Sequence, residues 1–301
     1  MPELPEVETI RRHLAPRLEG RRIARLRIHD ARWCEPVAPA EVVAALQGRR
    51  IEALRRRGKY FDFALSNDVH LLWHLRMTGT LLYDPAPRPP VVRVDLQLDD
   101  GHALVFVDPR RFGTGQLAFG ADGLETFYAA RLGVEPLGEE FTAERLRAIA
   151  RGCRSPVKAM LLDQKRIAGV GNIYADEALF RARIHPLRPA NRLNRSQAAA
   201  LRDAVVDSLL AGIAAGGATI DDYRDIEGAR GSFQDEFLVH RRAGEPCPRC
   251  GTPVVKLVAA GRGTYACPRC QPRARTRAPS PPGGGSSRTL QHRVAVRQGK
   301  T

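Results

Sequence analysis

The sequence predicts a multidomain chain of α and β structure: an antiparallel β region first, a helical domain after it, and a cysteine-rich hairpin towards the end. Three observations carry that prediction. Short strand-like runs fill residues 23 to 119, apolar residues recur at helical spacing from about 140 to 217, and four cysteines pair up as Cys247-Pro-Arg-Cys250 and Cys267-Pro-Arg-Cys270. At 301 residues, 43% of them apolar, the chain is long enough for at least two domains with cores of their own.

In chain order, PEVETIRRHL reads as a helix with Pro5 in its first turn and Val7, Ile10 and Leu14 along one face. Glu3 and Glu6 stand at its start, where acidic groups complement the helix dipole. The same pair has a chemical reading. Removal of Met1 would free the Pro2 secondary amine, whose class of pKa is about 7.7 to 8.0. Such an amine can attack an electrophilic sugar carbon and form an iminium, with Glu3 beside it to move protons.

IARLRI, KYFDFAL, HLLWHLRM, VRVDLQL, ALVFV and QLAF are strand runs, and Asp99-Asp100-Gly101 is a turn between two of them. Several antiparallel strands with few helices make a sandwich or a barrel. TAERLRAIA, SPVKAMLLDQ, NIYADEALFRARI and SQAAALRDAVVDSLLAGIAA are the helices, with Thr142, Ser155 and Ser196 as caps. Gly169-Val170-Gly171 forms a turn between two of these helices, and Asn172 caps the second. Glycine and a helix N-terminus together admit a phosphate. Residues 218 to 236 are polar and weakly periodic, which reads as a mobile functional loop.

Lys and Arg outnumber Asp and Glu by 48 to 33, a net charge of +15 with an isoelectric point near 10.3. The excess calls for a polyanionic partner, nucleic acid being the commonest, with a general basic solubility bias as the alternative. Seven of those charges lie in a Pro-, Gly- and Ser-rich stretch from Pro272 onward, expected to be a disordered basic tail. The rest of the chain is basic in its own right, at +8. No run approaches the roughly 20 apolar residues of a membrane span, and no secretory signal opens the chain. The expectation is a cytoplasmic, nucleoid-associated monomer with no membrane partner.

The two C-x-x-C pairs are 16 residues apart, a spacing that suits two knuckles presenting four thiolates to one tetrahedral Zn²⁺. Four sulfurs close the coordination shell, so the metal is structural. VVKLVAAGRGTYA between the pairs reads as two strands turning at Ala260-Gly261, and Arg262 at the tip could be aimed at a phosphate.

MPELPEVET, RRRGKYFDF, HLRMTG, DPRRFG, LDQKRIAGVGNIYADEALF and GRGTYACPRCQ, in this order from residue 1 to about 271, resemble the bacterial formamidopyrimidine-DNA glycosylases. The resemblance implies an N-terminal β-sandwich with flanking helices (1–135), a helix–two-turn–helix domain (136–217), a lesion-recognition loop (218–236), a zinc-finger β-hairpin (237–271) and a tail (272–301). It implies damaged double-stranded DNA as partner, held in the cleft between domains, with excision of oxidised purines followed by strand cleavage by β,δ-elimination. By that resemblance Pro2 is the nucleophile, Glu3 the proton donor for base loss, Lys59 the donor in β-elimination and Arg262 in δ-elimination, with Glu6 in support. Met77, Arg110 and Phe112 match residues that fill the void left by a flipped base. His74, Arg93, Arg110, Arg154, Lys158, Asn172 and Arg262 are the expected DNA contacts. Zinc on Cys247, Cys250, Cys267 and Cys270 is the expected cofactor.

The chain departs from that pattern at Pro90-Val91-Val92-Arg93, where many relatives carry a histidine-rich run, and at His240, where relatives often have tyrosine. Two alternatives are an endonuclease VIII-like enzyme for oxidised pyrimidines and a non-catalytic DNA-binding relative. The endonuclease VIII branch usually reads MPEGPE, so Leu4 favours the purine branch, and intact Pro2, Glu3 and Lys59 argue against lost chemistry.

Overall fold

The computed structural model describes residues 1–220 and 223–273, so the stretch read as a basic tail lies, beyond Arg273, outside the described residues. Helix α1 (Leu4–Leu18) comes first, then β1 (Ile23–Ile28), α2 (Pro39–Leu46), β2 (Ile51–Arg57), β3 (Tyr60–Leu65), β4 (Val69–His74), β5 (Thr80–Tyr83), β6 (Val94–Leu98), β7 (Ala103–Val107), β8 (Thr114–Phe119) and α3 (Gly120–Ala129). The eight strands make two antiparallel four-stranded sheets, in the orders β1-β6-β7-β5 and β2-β3-β4-β8. This is the sandwich alternative of the two all-β readings. Two strands, β2 and β5, and two helices, α2 and α3, were not among the sequence-predicted elements. β2 (IEALRRR) hides its apolar positions among arginines, and β5 is four residues long.

The strands β3 and β4 are buried along their whole length because both faces are covered. On the inner face Phe61, Phe63, Trp73 and Phe106 form the core together with Val7, Ile10, Leu14 and Leu18 of α1. On the outer face Tyr60 and Leu72 lie under Phe127 and Tyr128 of α3. The polar residues there are paired: His70 Nδ1 and Asp62 Oδ1 lie 2.7 Å apart. A buried carboxylate without such a partner would be costly.

Helices α4 (Ala143–Arg151), α5 (Val157–Leu162), α6 (Asn172–Arg181) and α7 (Arg195–Ala214) enclose a second core, into which Leu4 of α1 inserts. Thr142 caps α4 as its spacing predicts, accepting the Arg145 N–H at 3.1 Å. The other two expected caps are corrected. Pro156 precedes α5 in place of Ser155, and Asn194 rather than Ser196 caps α7, accepting the Gln197 N–H at 2.8 Å. An Asn and a Ser two apart are both good caps, and the Gln three residues after Asn194 completes a reciprocal capping box.

The segment read as a mobile loop is tied to both domains wherever it is described. Tyr223 and Ile226 are buried in the sandwich core, the Tyr83 N–H donates to the Ile226 carbonyl at 3.0 Å, and Phe233 stacks on Tyr174 in the helical core. Its apolar residues are too sparse for periodicity yet are the ones that anchor it. Strands β9 (Val255–Ala259) and β10 (Arg262–Ala266) form a hairpin between the two cysteine pairs, turning at Ala260 and Gly261, both with positive φ. No helix among the described residues is long and apolar enough to cross a membrane.

Candidate active site and nucleic-acid interface

A cavity of about 460 Å³ lies where the two domains and the hairpin meet, and its walls include Glu3, Lys59, Met77, Arg110, Asn172 and Arg262. Six separate stretches of chain supply these six side chains. Met1 lines the same cavity and is 43% exposed, whereas Pro2 is buried behind it. With Met1 in place the Pro2 nitrogen is an amide and cannot act as a nucleophile.

Glu3 is 3% exposed, and its carboxylate sits at the N-terminus of α6, accepting the Ile173 N–H at 3.1 Å and the Tyr174 N–H at 3.5 Å. It therefore does the capping that sequence reading gave to Asn172, which is the first residue inside the helix. The carboxyl group thus lies against the positive end of the helix dipole. Gly171 makes this approach possible: a Cβ on it would lie 2.1 Å from Glu3 Cδ. Glu6, 1% exposed, accepts the Glu3 N–H (2.7 Å), the Tyr174 hydroxyl (2.7 Å) and the Ala218 N–H (2.8 Å). Burial and the neighbouring Glu3 charge push its pKa up.

Lys59 is 4% exposed and projects from the β2–β3 turn, where Gly58 has φ +57°. Glu135 fixes that turn, accepting the Gly58 N–H at 2.8 Å and pairing with Arg56 at 2.7 Å. Burial lowers the Lys59 pKa against the pull of Glu3 and Glu6, and Arg262 lowers it further. An ammonium with a depressed pKa releases its proton more readily near neutrality, which suits an acid–base role.

Phe112 is 49% exposed, with the Arg110 guanidinium 4.8 Å from its ring centre. Met77 is half-buried at the cavity wall. Met77 and Arg110 line the cavity, and Phe112 adjoins it through Arg110. Two of the expected DNA contacts turn inward instead. Arg93, 9% exposed, donates its Nε–H to the Asp108 carbonyl (3.0 Å) and lies 3.7 Å from Asp30. His74, 7% exposed, accepts the Arg76 N–H on Nδ1 (2.8 Å), and burial followed by the Arg76 and Lys59 charges keeps its pKa well below the usual histidine value.

Lys158 is likewise turned inward. It is fully buried, its ammonium shared between Asp176 Oδ1 (2.7 Å), Thr264 Oγ1 (2.7 Å) and the Gly263 carbonyl (3.2 Å), so it ties α5 and α6 to the hairpin and has no free face for a phosphate. Asn172 donates to the same Gly263 carbonyl at 3.1 Å and keeps one side-chain oxygen without a partner. Arg154 and Arg262 are exposed. Sequence reading missed Asp108, Glu135, Tyr174, Asp176 and Glu177, the last of which accepts the Leu238, Val239 and His240 N–H groups at 2.9–3.0 Å. Asp176 and Glu177 were visible as an acidic pair inside an otherwise apolar helix, NIYADEALF, a position that charged residues occupy only when paired.

The four cysteine sulfurs lie within 4.8 Å of one another, with Cys247–Cys270 at 3.9 Å and Cys250–Cys267 at 3.5 Å. Thiolates around a tetrahedral zinc, ~2.3 Å from the metal, sit about 3.8 Å apart, so the cluster fits one structural ion. Removing that ion with a chelator is expected to expose residues 245–271 to protease and to weaken duplex binding through Arg262, while the sandwich keeps its far-UV signal. A chromophoric chelator should count one zinc per chain.

The Formamidopyrimidine-DNA glycosylase N-terminal domain family model matches residues 1–115, the Formamidopyrimidine-DNA glycosylase H2TH domain model residues 132–224, and the model for the zinc finger found in FPG and IleRS residues 244–273. The chain belongs to the formamidopyrimidine-DNA glycosylase family. It is 46% identical to the formamidopyrimidine-DNA glycosylase of Roseiflexus sp., over 90% of this chain and all of that one, and 47% identical to that of Symbiobacterium thermophilum over 90% of each. The MutM (Fpg) protein of Thermus thermophilus superposes with a TM-score of 0.81 at 44% identity, covering 90% of this chain and 98% of that one. Lactococcus lactis Fpg, seen in complex with abasic-site DNA, superposes with a TM-score of 0.84 at 36% identity over 90% and 100%. As a member of this family the chain is a DNA glycosylase of oxidised-purine repair, an activity accompanied in the family by AP lyase cleavage.

Proposed function

We propose that this glycosylase works through Pro2, once Met1 is removed, on a nucleotide drawn into the 460 Å³ cavity. The observation that carries the reading is the convergence of Glu3, Lys59 and Arg262 on that cavity beside the buried Pro2. The Pro2 nitrogen attacks C1′ of the damaged nucleoside as the glycosidic bond breaks and the base leaves. Glu3 supplies the proton to the departing base, and the proton that the Pro2 nitrogen sheds passes to the sugar ring oxygen as the ring opens to the iminium. The iminium acidifies the C2′ hydrogen, and loss of that proton expels the 3′-phosphate. Lys59 moves the proton in this step. In the second elimination loss of the C4′ hydrogen expels the 5′-phosphate, and the Arg262 guanidinium donates to that leaving group.

Damaged duplex DNA is the substrate, with Met77, Arg110 and Phe112 filling the space of the extruded nucleotide and segment 218–236 reading the lesion. The exposed Phe112 under a guanidinium supports the first assignment, since both surfaces stack on bases. The same site is read as acting as a monomer in the cytoplasm.

Borohydride reduces an iminium to a stable amine, so incubation with 8-oxoguanine duplex and borohydride should yield a covalent protein–DNA adduct. The adduct should be weakened or lost in Pro2→Gly and in protein that retains Met1. An adduct of unchanged yield in both would remove Pro2 from the mechanism. Lactococcus lactis Fpg is also known in complex with DNA containing an oxidised pyrimidine, so thymine glycol duplex belongs beside 8-oxoguanine duplex in the comparison. Preference for the purine lesion is expected.

A further inference from the structure

The loop bearing Met77 and the loop bearing Arg110 and Phe112 are joined by one hydroxyl. Thr78 Oγ1 donates to Asp108 Oδ1 at 2.5 Å and accepts the Arg110 N–H at 3.4 Å. Asp108, 1% exposed, uses its other oxygen to accept the Phe112 N–H at 2.8 Å and the Gly113 N–H at 2.7 Å. Its carbonyl takes the Arg111 N–H and Arg93 Nε–H. Below this clasp both loops rest on the Phe106 ring: a Cβ on Gly79 would lie 2.8 Å from that ring and one on Gly113 2.4 Å from it. Each loop also holds one non-glycine residue in the left-handed region, Arg76 at φ +57° and Arg111 at φ +59°. L residues keep that conformation only where their surroundings fix it.

We propose that Thr78 and Asp108 lock these two loops into a single rigid wedge, so that Met77, Arg110 and Phe112 enter the base stack together. This rests on the glycosylase reading above and adds a positioning residue to it. A wedge must unstack a base step before it gains any contact, and side chains already held in register lose less entropy when they do so. Two loops free to move separately would let Phe112 enter while Met77 left the gap open. Thr78 lines the cavity, but its hydroxyl is taken up by Asp108 and the Arg110 N–H and is assigned no proton or leaving group in the reaction. Its effect is therefore on opening the duplex and not on bond cleavage.

Thr78→Val keeps the shape and removes both hydrogen bonds, while Thr78→Ser restores them. Two substrates separate the roles: 8-oxoguanine opposite cytosine in a duplex, and a preformed abasic site in a single strand, which offers no stack to open. Thr78→Val is expected to lower the ratio of duplex excision to single-strand cleavage by about tenfold, the size expected for loss of a hydrogen bond to a charged group, and Thr78→Ser to restore it. An unchanged ratio overturns the proposal, as does an equal fall on both substrates that Ser fails to rescue. A wild-type protein that cleaves neither substrate would instead overturn the glycosylase reading itself.

Discussion

Glu3→Gln is expected to slow base excision by about 10²–10⁴-fold, the range for removal of a positioned proton donor. The substitution keeps the shape and leaves a group that can still accept the Ile173 N–H, seen at 3.1 Å. What it removes is the proton and the anion. A preformed abasic site needs no base departure, so borohydride trapping on that substrate should persist in the variant. Single-turnover excision from 8-oxoguanine duplex, run beside trapping on abasic duplex, gives the comparison. Equal loss on both would mean that Glu3 is needed for forming the iminium rather than for losing the base.

Gly171→Ala should mimic much of that loss from a residue with no chemistry of its own. The added methyl carbon would lie 2.1 Å from Glu3 Cδ and 2.4 and 2.5 Å from its oxygens. Glu3 would have to leave the start of α6, or the first turn of the helix would have to shift. Overpacking of this kind costs about 1–3 kcal/mol, so a lowered melting temperature is expected with the fall in excision. Adding Glu3→Gln to Gly171→Ala should bring little further loss of excision if both act through the same carboxylate. Additive losses would show that the glycine matters for another reason.

Much of the architecture was legible because it is written in local pattern. Strands β1, β3, β4, β6, β7 and β8 and helices α4 to α7 were read from periodicity, and the zinc knuckles from spacing. Legibility ended where one residue answers to a distant one. Lys158 looked like a phosphate contact because its partner Asp176 and the Gly263 carbonyl come together only in the fold. Arg93 read as a surface cation for the same reason, its guanidinium being turned onto the Asp108 carbonyl. Asn172 has the residue type of a cap, yet the capping is done by a carboxylate 169 positions earlier in the chain. Charged residues are the ones most often misplaced by local reading, since burial depends on a partner that periodicity does not reveal.

The bonds from Glu3 to Ile173 and from Glu6 to Ala218 also impose an order in time. At synthesis rates of about 5–20 residues per second, the opening residues wait roughly ten to forty seconds on the ribosome before Ala218 exists to hold them. During that interval the Ala218 N–H that holds Glu6 is missing. An aminopeptidase therefore has its easiest access to Met1 on the nascent chain. The part of the protein made first is completed among the last, and a truncated product lacking the helical domain would carry Glu3 and Glu6 without the N–H groups that hold them.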